Sequence, residues 1–532
     1  MVLNRFLIFL YFAFLLILQS NAQLVTEEWA KRYTVGNSGD ESRSIAVDDS
    51  GNVFITGQSY LFTWPNQEID YCTIKYNASG VQQWVQRTPG TGWSIALDDS
   101  SNVYVTGAVY GSTAGIGTIK YNSMGIIQWF QIYNAHITWN DTAVGKMIKL
   151  DRKHNVYVTG TTNDSVHSRG YTTIKYSSGG EQLWVARYNG PYWVDEAAAL
   201  AIDDSDNVYV TGRSLGPPPQ EWDFATVKYN SNGQQVWVKK YGDQSGYYAN
   251  YAECIIVDKS SNVYVSGSGH MNSYSIITIK YSSSGSQIWL RGYNSSGEPR
   301  EIITDTYDNI YVAGHSYIGA IPYSTTLKYD SSGQQLFNVQ YPNSEASSIA
   351  IDLQGNFYIG GGVYLGSNVS ACLTIKYSFS GKQQWIQLYS YYLQPRDGIS
   401  AIAVDKLGNV YVTGQSWGGL STQDDYITIK YSQVNGIQKK NKDIQTKFYL
   451  YQNYPNPFNP ETKINFALPI AGKVKLVVYD ILGAEVKTLV NEYRQAGYHS
   501  VTFSSENLAN GVYFYRIEAG DFNQVKKMVL VK

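Results

Sequence analysis

The chain has 532 residues, of which only 16% are charged, with 47 Tyr, 13 Trp and 48 Gly but only 14 Pro. It is too apolar and aromatic for a disordered chain, and too rich in Gly, Tyr and Trp for a coiled coil or helical bundle. A net charge of −2 leaves no basic field for gripping nucleic acid, and three cysteines cannot build a disulfide scaffold.

The N-terminus opens with Arg5, an unbroken apolar run from Phe6 to Leu18, and the small residues of Ser20-Asn21-Ala22. This pattern predicts a signal peptide over residues 1–22, because a membrane span needs about 20 apolar residues. No later segment approaches that length. The mature chain is therefore expected to be a soluble monomer without a transmembrane span.

Residues 23–431 are repetitive. Variants of Asn-Val-Tyr-Val-Thr-Gly begin at Asn52, Asn102, Asn155, Asn207, Asn262, Asn309, Asn356 and Asn409, spaced 47 to 55 residues apart. Each has an Asp four residues earlier, from Asp48 to Asp405. Variants of Thr-Ile-Lys-Tyr follow in each repeat, from Thr73 to Thr428. The first repeat reads as strand A at Ser44–Asp48, strand B at Asn52–Gly57, strand C at Tyr71–Tyr76 and strand D at Gln82–Arg87, with polar turns after A and C. Four short strands per ~50 residues is the pattern of a propeller blade.

Strand D carries Trp-x-x-x-Tyr, as at Trp129, Trp184, Trp237, Trp289 and Trp385, with Phe337 and the Trp84–Thr88 variant completing seven copies. The eighth repeat has no such strand after Tyr431, but Trp29-Ala-Lys-Arg-Tyr33 stands alone near the start. The expected fold is therefore all-β, an eight-bladed β-propeller whose last blade is completed by an N-terminal strand. Such closure removes exposed edges.

These words, such as Gly51-Asn-Val-Phe-Ile-Thr-Gly57 and Tyr71-Cys-Thr-Ile-Lys-Tyr76, resemble the SBBP β-propeller repeat of bacterial secreted and surface proteins. That resemblance implies seven blades where the count here is eight, and it brings no catalytic residues with it.

Residues 432–447 are polar, basic and unpatterned, and read as a linker. Strand-like runs punctuated by glycine fill residues 448–532, as expected of a small Ig-like β-sandwich. Asn453-Tyr-Pro-Asn-Pro-Phe-Asn-Pro460, Val478-Tyr-Asp-Ile-Leu-Gly483, Leu508-Ala-Asn-Gly-Val-Tyr-Phe514 and Lys526-Lys-Met-Val-Leu-Val-Lys532 closely resemble the C-terminal sorting domain of type IX (Por) secretion cargo. The resemblance implies export across a Gram-negative-type envelope, with the secretion machinery as partner, and a passenger that is secreted or held at the outer cell surface.

Strand alternation places the short A–B and C–D turns at one end of the blades and the longer B–C and D–A connections at the other. Six tryptophans outside strand D, Trp64, Trp93, Trp139, Trp193, Trp222 and Trp417, all fall in B–C or D–A segments. Aromatic rings gathered on one face suit a sugar ring or a protein partner, so these six are the expected ligand-binding residues. Packing of the same rings over neighbouring blades is the competing expectation.

The repeated Asp residues are expected to bond their own turns, because Asp352-Leu-Gln-Gly-Asn356 and Asp405-Lys-Leu-Gly-Asn409 hold too few carboxylates for calcium. The six histidines show no metal spacing, no Gly-x-Ser-x-Gly elbow exists, and Cys72, Cys254 and Cys372 read as buried thiols. No metal, cofactor or catalytic constellation is expected. The function expected is binding, of a glycan or a surface protein. A polysaccharide hydrolase or lyase is the alternative, and a quinoprotein-like dehydrogenase is less favoured, because the turn at Tyr76–Trp84 is one residue shorter than in those enzymes and no adjacent Cys pair is present.

Overall fold

The computed structural model describes residues 25–531 apart from 36–38, 64–65, 111–113, 135–142, 164–168, 217–220, 243–248, 272–273, 367–368, 392–395, 420–422, 434–447, 454, 469–470, 495–496, 506–507 and 521. The signal segment and the linker expected from the sequence lie outside the described residues. The chain divides into two compact units, residues 1–435 and 436–532.

The first unit holds eight four-stranded antiparallel sheets. In the first, strand A is Glu41–Val47, B is Val53–Thr63, C is Asn66–Tyr76 and D is Gln82–Pro89. Strands B and C run longer than their sequence words, because their pairing continues from Val53↔Tyr76 out to Thr63↔Asn66. Six further sheets repeat the order with consecutive strands. The eighth takes Gly398–Val404, Val410–Trp417 and Asp424–Gln433, and its fourth strand is Val25–Tyr33. Strand A of each sheet packs against strand A of the next, and Glu41–Val47 packs against Gly398–Val404. Strand B is buried along its whole core word, as at Val103–Val109, because sheets cover both its faces.

The A–B turn explains the repeated Asp. Asp98 Oδ1 accepts the backbone N–H groups of Ser100 (3.0 Å) and Asn102 (2.9 Å), and Oδ2 accepts from the Asn102 side chain (2.8 Å) and the Tyr104 hydroxyl (3.0 Å). Burial pushes this carboxyl up, but those bonds outweigh it and hold Asp98 below its usual value, as they do Asp203 and Asp305. The residue before each Asn is left-handed, at Gly51, Gly355 and Gly408 but also at Ser101, His154, Asp206, Ser261 and Asp308. A non-Gly residue there costs roughly 1–2 kcal/mol, which the carboxylate's bonds offset.

The C–D turn carries the joint between sheets. Trp129 Nε1 donates to Ser178 O of the next sheet at 3.1 Å, and Lys120, directly opposite Trp129 in the ladder, donates to the same oxygen at 3.0 Å. Trp84 and Lys75 share Ser123 O, Trp237 and Lys228 share Ser283 O, and Trp289 and Lys280 share Ser331 O. Trp29 and Lys430 share Ala78 O and so join the eighth sheet to the first. Gly180 shows why the turn needs glycine: its φ is +91°, and a Cβ there would stand 2.7 Å from the Trp129 ring.

The second unit has a three-stranded and a four-stranded sheet. Leu450, Phe466, Leu476, Tyr515 and Met528 belong to its common core. The Pro-rich segment is fastened to that core by Tyr515, whose hydroxyl accepts from Asn453 N–H (2.7 Å) and donates to Tyr451 O (2.9 Å). No described helix is long and apolar enough to cross a membrane.

Gly180→Ala and Gly355→Ala separate the two demands on turn glycines. At Gly355 φ is +80° but the nearest atom to a new Cβ is 3.5 Å away. Alanine there is expected to cost about 1 kcal/mol, the strain alone. Gly180→Ala is expected to cost about 1–3 kcal/mol more from overpacking against Trp129, a difference that urea denaturation followed by tryptophan fluorescence would measure.

Candidate functional site

Strand A carries a β-bulge at the same place in all eight sheets. The register shifts between Ser42 and Ser44, Gly92 and Ser94, Gly145 and Met147, and Ala197 and Ala199. It shifts again between Ala252 and Cys254, Pro299 and Glu301, Ala346 and Ser348, and Ile399 and Ala401. The residues left unpaired are Arg43, Trp93, Lys146, Ala198, Glu253, Arg300, Ser347 and Ser400. Strand A is an edge strand, so its outward N–H groups need partners. The residue after the bulge supplies one to the next sheet: Ser44 Oγ accepts Ile95 N–H, Ser94 Oγ accepts Ile148 N–H, and Ser348 Oγ accepts Ile402 N–H, each at 3.3 Å.

Because strands A of successive sheets are neighbours, their bulge residues meet. The Arg43 guanidinium lies 3.9 Å and the Lys146 ammonium 3.8 Å from the centre of the Trp93 ring. Two cations cannot share one face at that distance, so they sandwich the indole. Arg43 also pairs with Glu41 at 3.1 Å. Burial, then repulsion from Arg43, pulls the Lys146 ammonium down. Glu196 holds Arg169 at 2.8 Å and also pairs with Arg213, whose guanidinium lies over Trp222 (4.7 Å) and Tyr251 (5.2 Å). Burial pushes the Glu253 carboxyl up to about 7, against the pull of Arg300. Arg300 pairs with Glu298 at 3.0 Å. Near them His315 is buried with Nδ1 unbonded, and burial pulls its imidazole down. The B–C and D–A end of the first six sheets thus carries an arc of cations, carboxylates and aromatic rings.

The sequence-derived tryptophans fall differently on this face. Trp93 and Trp222 lie within the arc, both covered by cations. Trp193 is 68% exposed, and its carbonyl accepts Arg169 N–H at 2.8 Å. Trp417 is half-buried in the eighth sheet, its N–H held by Asp397 at 2.7 Å. Trp64 and Trp139 lie outside the described residues. Tyr317, Tyr364 and Tyr391 are exposed at the same end. Sequence reasoning missed Arg43, Lys146, Glu253 and Arg300, although each stands five residues before its repeat's Asp. Aligning the repeats on that Asp isolates the one strand-A position that alternates between charge, Trp and small residues.

The described residues contain no group of three or more His, Cys, Asp or Glu placed to hold a metal ion. Cys72, Cys254 and Cys372 are free and buried, and burial pushes the Cys72 thiol up to about 12.

The chain matches the secretion system C-terminal sorting domain over residues 452–532 and the beta-propeller repeat over residues 28–60 and 384–421. It carries SBBP-type β-propeller repeats and ends in a type IX secretion sorting domain, which marks it for export to the medium or the outer cell surface. No protein with curated annotation matches. Among solved structures it is similar to PorZ, described as an essential bacterial surface component of the type IX secretion system of Porphyromonas gingivalis, at 10% identity and a TM-score of 0.32 over 94% of this chain and 75% of that one. It is also similar to the WD40 domain of SCAP from fission yeast, at 9% identity and 0.43 over 77% and 98%. An ulvan lyase, described as a new family of polysaccharide lyase, gives 11% identity and 0.40 over 62% and 90%.

The Trp93 sandwich is open to a double-mutant cycle. Each cation–ring contact is worth ~0.5–2 kcal/mol at this burial. Trp93→Leu is expected to lower stability, and Lys146→Met is expected to cost measurably less in the Trp93→Leu background than alone, with a coupling of about 0.5 kcal/mol or more by urea denaturation.

Proposed function

We propose that the eight sheets form an eight-bladed β-propeller closed by Val25–Tyr33, that an Ig-like sandwich follows it as the export address, and that the propeller works as a binding module for a glycan without turning it over. Closure is supported by bonds between the first and eighth sheets: Ser42 Oγ donates to Gly414 O at 2.7 Å, Lys430 reaches Ala78 O, and Lys406 pairs with Asp49 at 2.7 Å. The observation that carries the binding reading is the arc of clamped cations and aromatic rings at the end where the connections are long and varied. At the opposite end the repeated Asp residues are spent on their own turns, as Asp98 is. Carbohydrate sites combine aromatic surface with oriented polar groups in this manner.

A glycan array on the purified chain, followed by Trp193→Ala, Trp222→Ala and Trp417→Ala, tests this reading. At least one glycan class is expected to bind, with Trp222→Ala or Trp193→Ala weakening it and the melting temperature holding. A fall in melting temperature with binding intact would make these rings packing elements. New reducing ends or unsaturated products from any polysaccharide would replace the binding module with an enzyme.

A further inference from the structure

Two charges in the bulge ring stand outside the pairing pattern. Glu41, Glu196 and Glu298 each hold an arginine. Among the described residues Lys146 and Glu253 form no ion pair, with each other or with any other side chain, although each feels the other's field. They come from the third and fifth sheets. Between them in the ring stands Ala198 of the fourth sheet, which has no side chain beyond Cβ. All three are partly open to solvent.

Resting on the glycan-binding reading above, we propose that the partly exposed surface over Ala198, between Lys146 and Glu253, is the subsite for a carboxylated sugar unit, a uronic acid. The ammonium of Lys146, with Arg43 behind it across Trp93, takes the sugar carboxylate. Glu253 takes ring hydroxyls, for which a carboxyl group can both donate and accept. Arg213, clamped by Trp222 and Tyr251, acts on Glu253 from the fourth sheet. A neutral sugar offers Lys146 hydroxyls but no charge, and an acidic peptide has no hydroxyl array for Glu253, so the two ends together favour one chemistry.

The site also has a pH signature. Glu253 is faced by Arg300 and Glu298 from the sixth sheet, Arg213 from the fourth and Lys146 from the third, with Tyr274 and Cys254 in its own sheet. Its pKa, raised to about 7 by burial, leaves it neutral and donating below that pH and anionic above it. Affinity for an anionic sugar therefore falls as pH rises through 7.

Calorimetric titration of the full chain with trigalacturonate, neutral galactotriose and an acidic hexapeptide tests the assignment. Trigalacturonate is expected to bind about tenfold or more tightly than galactotriose, and to weaken from about pH 6 to about pH 8. Lys146→Gln is expected to remove that preference, Glu253→Gln to flatten the pH dependence, and Ala198→Leu to block binding by covering that surface while both charges stay. Uronate binding that survives both Lys146→Gln and Ala198→Leu, in variants with unchanged melting temperature, overturns the subsite and leaves the glycan reading standing. Tighter binding of the peptide overturns the sugar assignment. Absence of binding by either saccharide, with no hit on the glycan array, overturns the glycan reading and the subsite together.

Discussion

The indole N–H of six of the seven strand-D tryptophans leaves its own sheet and lands on one carbonyl in the C–D turn of the next. Apolar packing between sheets is strong but has no direction. A donor on a fixed carbonyl sets both the spacing and the rotation of neighbouring sheets. The lysine of the Thr-Ile-Lys-Tyr word doubles the constraint, because it stands opposite the tryptophan and aims at the same oxygen. That geometry dictates the turn glycine, since any side chain there would occupy the space of the ring. It also dictates the displaced strand: without Trp29, Ala78 O would lose its indole donor and keep only Lys430 of the eighth sheet.

The exceptions follow from the same joint. Phe337 has no N–H, and the sixth sheet compensates by stacking it on Phe357, with Phe357 stacked in turn on Tyr377. Trp385 is buried with its Nε1 unbonded, and Asp424–Gln433 of the eighth sheet stays in strand past Tyr431, where the other sheets turn. An unmet buried donor costs about 1–3 kcal/mol. Lys376, the partner of Trp385 in the ladder, turns instead to the Gln433 side chain.

Much of this was legible in the sequence because each repeat spells out its joint. The Asp before each Asn, the Lys and Trp that face one another, and the turn glycine are local words whose partners lie one repeat away. The core of each strand followed from them. Strand B beyond Gly57 was not legible, because its extension is set by pairing with residues 66–72 rather than by its own pattern. Nor was the role of Trp93. It reads as a free aromatic until Arg43 and Lys146, about one repeat away on either side, are placed on its two faces. The bulge behind this contact exists only as a slip between two strands, and no single strand carries its signature.

That bulge separates the joint between sheets from the face above it. Strand A of each sheet has an unpaired edge, and the residue after the bulge closes part of it by accepting an N–H from the next sheet in three of them. The bulge residue itself takes no part in the ladder, the core or the tryptophan joint. It can be arginine, tryptophan, alanine or serine without altering how sheets dock, whereas Gly180 cannot change without moving Trp129. Eight such positions meet at one end of the unit, adjacent in space and about fifty residues apart in sequence. A chain built this way can vary these side chains one repeat at a time, and the arc from Arg43 to Arg300 is what this chain has written there.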